Sequence, residues 1–182
     1  MNEISCIILA GGKGERMQGY DKGLQLYRNR TLIEHVIERV SLQVDDIVIS
    51  ANRNLAAYRK MGFAVVNDNK SFAGPLAGIA SAISRCNHPW VLVVPCDMPT
   101  LPDDLVATMW QHTSGSSLVA VRTNNCLQLI FLLHRRLVTS INNFLADNQH
   151  TVMRWLDSVD VAIVDIDNEN YFHNINTLQQ LD

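Results

Sequence analysis

The stretch Ile4-Ser5-Cys6-Ile7-Ile8-Leu9-Ala10-Gly11-Gly12-Lys13-Gly14-Glu15-Arg16-Met17 reads as a buried strand that empties into a glycine-rich loop carrying cations. Its apolar run is short and nearly continuous, as in a strand covered on both faces. Gly11, Gly12 and Gly14 let backbone N–H groups wrap an anion without Cβ obstruction, and Lys13, Arg16 and Lys22 supply the charge that a triphosphate must meet. The competing reading is a plain glycine-rich turn between a strand and a helix.

Two better-known phosphate loops are excluded by particular residues. A Walker A loop needs a hydroxyl after Gly-Lys to hold magnesium, and here Lys22 is followed by Gly23. The dinucleotide fingerprint could open at Gly12 and Gly14, but Met17 stands where its third glycine belongs. What remains is Leu-Ala-Gly-Gly-x-Gly-x-Arg-Met with a lysine five residues on.

Outward from the loop the apolar period alternates between strand-like and helix-like. This predicts a Rossmann-like, doubly wound α/β fold with a mainly parallel sheet, in one domain over 1–182. Thr31 and Glu34 form a capping box before the helical face Ile33, Val36, Ile37 and Val40, and that helix should end near Leu42. A second strand is expected over 47–49, a short helix over 55–61, and a third strand over 63–66 that delivers Asn67 and Asp68. Gly74-Pro75-Leu76-Ala77-Gly78 turns into a helix whose Ala80, Ser81 and Ala82 let its backbone pack closely against a neighbour. A central strand over 90–94 is apolar throughout and leads to Pro95-Cys96-Asp97-Met98-Pro99. A helix should run from Pro102 to about His112. The apolar runs over 117–122 and 127–133, joined through Asn124 and Asn125, predict a small antiparallel segment. Helices over 135–146 and 151–156, a strand over 161–166 and a terminal helical turn complete the reading.

Bulk properties narrow the function. A chain of 182 residues with 47% hydrophobic content can close one continuous core. The formal charge of −3 comes without a run of like charges, so neither nucleic acid nor an anionic membrane is an expected partner. Cys6, Cys86, Cys96 and Cys126 show no Cys-x-x-Cys spacing, which signals neither a zinc site nor a disulfide framework. With no membrane-length apolar run and no leader pattern, a cytoplasmic location is expected.

In an open parallel sheet, ligands bind at the carboxyl edge where the strand order reverses. The glycine loop, Asp68 and Asp97 all follow strands on that edge. Mg²⁺ typically takes one or two protein carboxylates and completes its shell with water and phosphate oxygens, which makes Asp97 the candidate metal ligand. The alternative is that Asp97 caps the turn before Pro99, and for Asp68 a turn or helix-cap role competes with ligand contact. Cys96 has no activating base beside it and reads as a packed strand-end residue. The histidines fall singly, and only His173 neighbours a candidate group, Asn174.

The glycine loop with Asp21-Lys22-Gly23, then Ala51-Asn52-Arg53, Asp68, Gly74-Pro75-Leu76-Ala77-Gly78, Pro95-Cys96-Asp97-Met98-Pro99 and Asn174-Ile175-Asn176-Thr177 follow one another in an order that resembles the molybdenum cofactor guanylyltransferases of the MobA-like NTP transferase family. The likeness spans 4–181 and implies a fold of the nucleotide-diphospho-sugar transferase type. It also implies transfer of GMP from GTP to the terminal phosphate of molybdopterin, with release of pyrophosphate. Carried over by position, GTP would be bound by Leu9, Ala10, Gly11, Gly12, Lys13, Lys22, Ser50, Asp68 and Asp97. Lys22, Arg16 and Asp97 would be the catalytic set, Asp97 would hold Mg²⁺, and Asn174 and Asn176 would lie near the acceptor. The family also implies contacts with a molybdenum insertion protein and molybdoenzyme assembly factors.

This chain departs from the pattern at Ser50, where the family often has asparagine, and at Gln128, in a stretch where a proline is usual. The first bears on the base and the second on the acceptor. A cytidylyltransferase or sugar-phosphate nucleotidyltransferase of the same fold, or a non-catalytic carrier of the cofactor, are the rival readings.

Overall fold

The computed structural model describes residues 3–12, 19–68 and 74–181. In chain order the strands are β1 (Ile4–Leu9), β2 (Leu26–Tyr27), β3 (Arg30–Thr31), β4 (Asp46–Ser50), β5 (Ala64–Val66), β6 (Trp90–Pro95), β7 (Leu118–Thr123), β8 (Cys126–His134) and β9 (Ala162–Asp165). The helices are α1 (Leu32–Ser41), α2 (Leu55–Arg59), α3 (Pro75–Ala82), α4 (Leu105–Trp110), α5 (Val138–Ala146) and α6 (Val152–Leu156).

β1 is the spine of a seven-stranded sheet ordered β5-β4-β1-β6-β8-β7-β9. It pairs in parallel with β4 on one side and β6 on the other, and β5 extends the parallel set beyond β4. The chain therefore travels outward from β1 through β4 to β5, then crosses back to β6. The order reverses between β1 and β6, so the crevice expected of a doubly wound sheet opens at their carboxyl ends.

Alternation along the strands builds a core on each face. Ile4, Cys6 and Ile8 of β1 join Ile33, Val36 and Val40 of α1 and Leu105 and Met109 of α4 on one side. Ile7 joins Leu76 and Ile79 of α3, Ile141 of α5 and Trp155 of α6 on the other. Each fully buried aliphatic side chain in these layers contributes about 1.5–3 kcal/mol.

α1 begins as its capping box predicts: the Thr31 N–H and hydroxyl both donate to one Glu34 carboxylate oxygen, at 2.7 and 2.6 Å. Leu32 is buried in its face, whereas Ile37 is only partly covered. The Asn124-Asn125 turn has positive φ at both residues, the type I′ geometry suited to a two-residue hairpin between β7 and β8.

The expected antiparallel β7–β8 pair forms, and β8 lies between β6 and β7 as the one antiparallel strand of the large sheet among the described residues. Two details differ from the sequence reading. α4 starts at Leu105, because Asp104 before it lies outside the helical region at φ −115, ψ 17. The β2–β3 ribbon was not foreseen: its strands are too short to show a period, and Arg28 and Asn29 turn between them with φ of 48 and 67.

Candidate active site

The parallel ladder continues past the strand ends. Ala10 N–H donates to the Ser50 carbonyl at 2.7 Å, Cys96 N–H to Leu9 at 3.0 Å, and Ala51 N–H to Val66 at 2.9 Å. These bonds launch four loops from one edge of the sheet, carrying Gly11 and Gly12, Asn52, Asp68 and Asp97. Leu9 and Ala10 thus stand at the carboxyl end of β1, beside Ser50 and Cys96. Lys13 and Arg16 lie outside the described residues.

Lys22 sits in a 3₁₀ turn, Lys22–Leu24, and reaches across the crevice. Its ammonium donates to Asp97 Oδ2 and, at 2.7 Å, to Asn176 Oδ1. The C-terminal segment is tied to the same point by its backbone: Ile175 N–H donates to the Asp97 carbonyl at 3.0 Å, and Asn176 N–H to Gln180 Oε1 at 2.7 Å. Asn176 therefore shares a hydrogen-bond network with Lys22 and Asp97. Asn174 supplies its carbonyl to the Asn176 amide at 3.4 Å.

Asp97 keeps its second carboxylate oxygen, Oδ1, buried and without a hydrogen-bond partner among the described residues. Leaving a charged acceptor unsatisfied costs more than a typical hydrogen bond gains. A cation coordinated by that oxygen would satisfy it, so the geometry fits the single-carboxylate support that Mg²⁺ accepts.

A second carboxylate with the same property faces the neighbouring loop. Asp68 is 4% exposed, and its Oδ1 also has no hydrogen-bond partner among the described residues. Its Oδ2 accepts from Asn52 Nδ2 at 2.8 Å, and its own N–H donates to Asn52 Oδ1 at 3.1 Å. Asn52 also reaches the Gly11 carbonyl at 3.5 Å. One amide thus fixes the Asp68 rotamer and ties it to the glycine loop, a role that the Ala51-Asn52-Arg53 motif alone does not specify.

The turn that carries Lys22 has its own support, which the sequence reading missed. Asp21 accepts from the Tyr58 hydroxyl at 2.5 Å and from Asn54 Nδ2 at 3.0 Å. Arg53 holds the approach to the turn by donating to the Gly19 and Tyr20 carbonyls at 2.8 and 3.2 Å. Burial, with the nearby Cys96 and Asp21 adding to it, pushes the Tyr58 hydroxyl far up, so it serves as a donor. Burial and the charge of Asp97 likewise push the Cys96 thiol up, which keeps it protonated and agrees with its packed role.

Ser50 closes β4 at 3% exposure. A Cβ built on Gly78 of α3 would lie 2.7 Å from Ser50 Oγ and 3.3 Å from Leu9 Cδ2. Glycine there lets α3 press onto the ends of β1 and β4, the close approach that its small residues suggest. His173 is exposed and meets Gln180 at 3.2 Å.

The chain and its fold have counterparts among known proteins. A family model described as the MobA-like NTP transferase domain matches residues 6–162. The chain belongs to the MobA-like NTP transferase family. A molybdenum cofactor guanylyltransferase from Acidovorax sp. (strain JS42) is 39% identical to this MobA-like chain over 202 residues, covering 99% of it and 94% of the relative. One from Shewanella halifaxensis (strain HAW-EB4) is 38% identical, covering 98% and 92%. Molybdopterin-guanine dinucleotide biosynthesis protein A from Archaeoglobus fulgidus shares the fold, with a TM-score of 0.80 at 19% identity, covering 97% of this chain and 94% of that one. The protein is a nucleotidyltransferase of the MobA-like type. No helix among its described residues is long and apolar enough to cross a membrane.

Proposed function

We propose that the enzyme transfers GMP from GTP to the terminal phosphate of molybdopterin. An acceptor phosphate oxygen bonds to the α-phosphorus, the bond from that phosphorus to the oxygen bridging it to the β-phosphorus breaks, and pyrophosphate carries away the electron pair. The observation that carries this reading is the meeting of Lys22 and Asp97 at the switch point, beside a glycine loop and with a buried carboxylate oxygen that has no hydrogen-bond partner among the described residues. A carrier that only bound the finished cofactor would have no use for that arrangement.

The residues divide the work by position. Lys22 neutralises phosphate charge and Asn176 orients its ammonium, while Lys13 and Arg16 would meet the β- and γ-phosphates. Oδ1 of Asp68 accepts a hydrogen bond from the nucleoside, next to Ser50 and the loop from Leu9 to Gly12. Asn174 and Asn176, at the outer wall, offer amides to the acceptor. Asp97 would hold Mg²⁺, which when bound offsets the charge of the triphosphate and of the leaving group. The acceptor phosphate is already ionised at neutral pH, so positioning and charge neutralisation suffice, as is general for phosphoryl chemistry. Action in the cytoplasm, with transfer of the product toward a molybdenum insertion protein or molybdoenzyme assembly factors, belongs to the same reading.

Calorimetry with GTP, CTP and ATP, with and without Mg²⁺, followed by a pyrophosphate-release assay with molybdopterin, tests it. Magnesium-dependent preference for GTP and formation of the guanine dinucleotide are expected. Preference for CTP, which Ser50 makes the informative competitor, would overturn the named product.

A further inference from the structure

We propose that Tyr58 and Asp21 are positioning residues for Lys22, a buried hydroxyl–carboxylate clamp that sets the turn from which the lysine reaches the phosphates. The inference rests on the reading of Lys22 as a phosphate-binding group. Tyr58 is 0% exposed in a layer that is otherwise apolar, where a phenylalanine would pack without the cost of burying a hydroxyl. Among the described residues its hydroxyl bonds to the Asp21 carboxylate, itself 8% exposed. A carboxylate so enclosed needs donors on both oxygens, and Asn54 supplies the second from a left-handed backbone at φ 49. A left-handed asparagine, a buried charge and a buried hydroxyl thus converge on the residue immediately before Lys22.

The turn is then locked from its other side. The Asp21 carbonyl accepts from Leu24 N–H at 3.2 Å and from Gln25 Nε2 at 2.9 Å. A Cβ on Gly23 would stand 2.6 Å from the Tyr58 hydroxyl and 3.3 Å from Cys96 Sγ, so the residue after Lys22 lies flat against the tyrosine and the strand end that carries Asp97. Asp21 and Gly23 each meet Tyr58, and between them Lys22 projects toward Asp97 and Asn176. This explains Asp-Lys-Gly as one mechanical unit: an anchor, a reaching cation and a residue with no side chain to obstruct the seat.

The test is a double-mutant cycle on binding of inorganic tripolyphosphate, a probe with no base to recognise, with GTP in parallel. Wild type, Tyr58→Phe, Lys22→Ala and the double variant are compared by calorimetry in the presence of Mg²⁺, and each is also unfolded in urea. Tyr58→Phe should weaken tripolyphosphate binding about tenfold when Lys22 is present and less than about twofold when it is absent. An equal loss in both backgrounds would make Tyr58 merely structural and overturn the proposal, as would no loss in the wild-type background. Should Tyr58→Phe fail to fold, Asp21→Ala takes its place in the cycle with the same expectation, and Asp21→Asn, which keeps an oxygen for the tyrosine hydroxyl, should recover most of the loss. If Lys22→Ala leaves binding unchanged, the phosphate role of Lys22 fails and the clamp has nothing to position. That result is distinct from an additive cycle, in which Lys22 matters and Tyr58 does not act through it.

Discussion

Lys22 and Asp97 meet as an ion pair in which one carboxylate oxygen takes the ammonium and the other stays buried without a hydrogen-bond partner among the described residues. The two side chains are 24% and 13% exposed, so the pair is shielded from bulk water without being sealed from a ligand. Charges so placed interact more strongly than on an open surface. In the proposed function this pair is where the charge of GTP exchanges partners with the protein.

Asp97→Ala should therefore lower pyrophosphate release by more than about a hundredfold, since preorganised charge at a reacting phosphate commonly carries that much rate. Circular dichroism should report an intact fold, because Asp97's carbonyl bond to Ile175 N–H comes from the backbone and survives the substitution. Turnover at the wild-type rate would remove Asp97 from the mechanism.

Asn52→Ala should act through Asp68. Without the amide the carboxylate loses the donor at 2.8 Å, and its open oxygen is no longer held in one direction. GTP affinity should fall about tenfold, the cost of losing one hydrogen bond to a charged group. Binding of tripolyphosphate, measured alongside, should change far less if Asp68 serves the nucleoside. Equal losses for the two ligands would place Asn52 on the phosphates instead.

Gly78→Ala should destabilise the fold by about 1–3 kcal/mol through overpacking, because its new methyl meets Ser50 Oγ at 2.7 Å. Ser50→Ala in the same chain removes that oxygen and leaves Ser50 Cβ at 3.7 Å, an ordinary contact. Part of the loss should return in the double variant, read from urea midpoints. A simple sum of the two single effects would show that the clash is not what Gly78 avoids.

The α1 cap gives a pH signature. Hydrogen bonds from the Thr31 hydroxyl and N–H hold the Glu34 carboxyl below its usual range. The folded chain thus binds that proton less readily than the unfolded one. Its stabilisation is fully present above the unfolded value of about 4.3 and is lost as pH falls through the lower folded value. Thr31→Ala should cost about 1 kcal/mol at neutral pH, or somewhat less because the pair is exposed. Urea unfolding at neutral pH and again below the glutamate range should show the difference shrinking. A difference independent of pH would refute the cap's role.

The order of elements was legible in the chain because each strand of the parallel set is a continuous apolar run closed by polar or glycine residues. Asp68 and Asp97 could be placed on one edge for the same reason: both follow such runs. The site was less legible where its logic is lateral. Nothing in the local pattern around Tyr58 says that its hydroxyl faces a carboxylate far back in the chain, since a tyrosine in a short helix reads as core. Asn176 reads, by resemblance, as a group near the acceptor, and its bond to Lys22 shows only when the fold brings the two together. The insertion of β8 between β6 and β7 is hidden likewise, because a hairpin's turn residues specify its pairing but not which of its strands lies beside the rest of the sheet.

Lys22 and Asn176 are separated by 154 positions in sequence and 2.7 Å in space. During synthesis the lysine leaves the ribosome early, and its amide partner follows only after every strand of the large sheet has been made. Closing so long a loop is entropically costly and comes late in folding. A nascent chain can thus assemble β1, β4 and β6 while the crevice at their carboxyl ends still lacks Asn176. The Lys22–Asn176 contact therefore exists only after residue 176 has been made, and a nascent chain that has not reached it holds Lys22 without this partner.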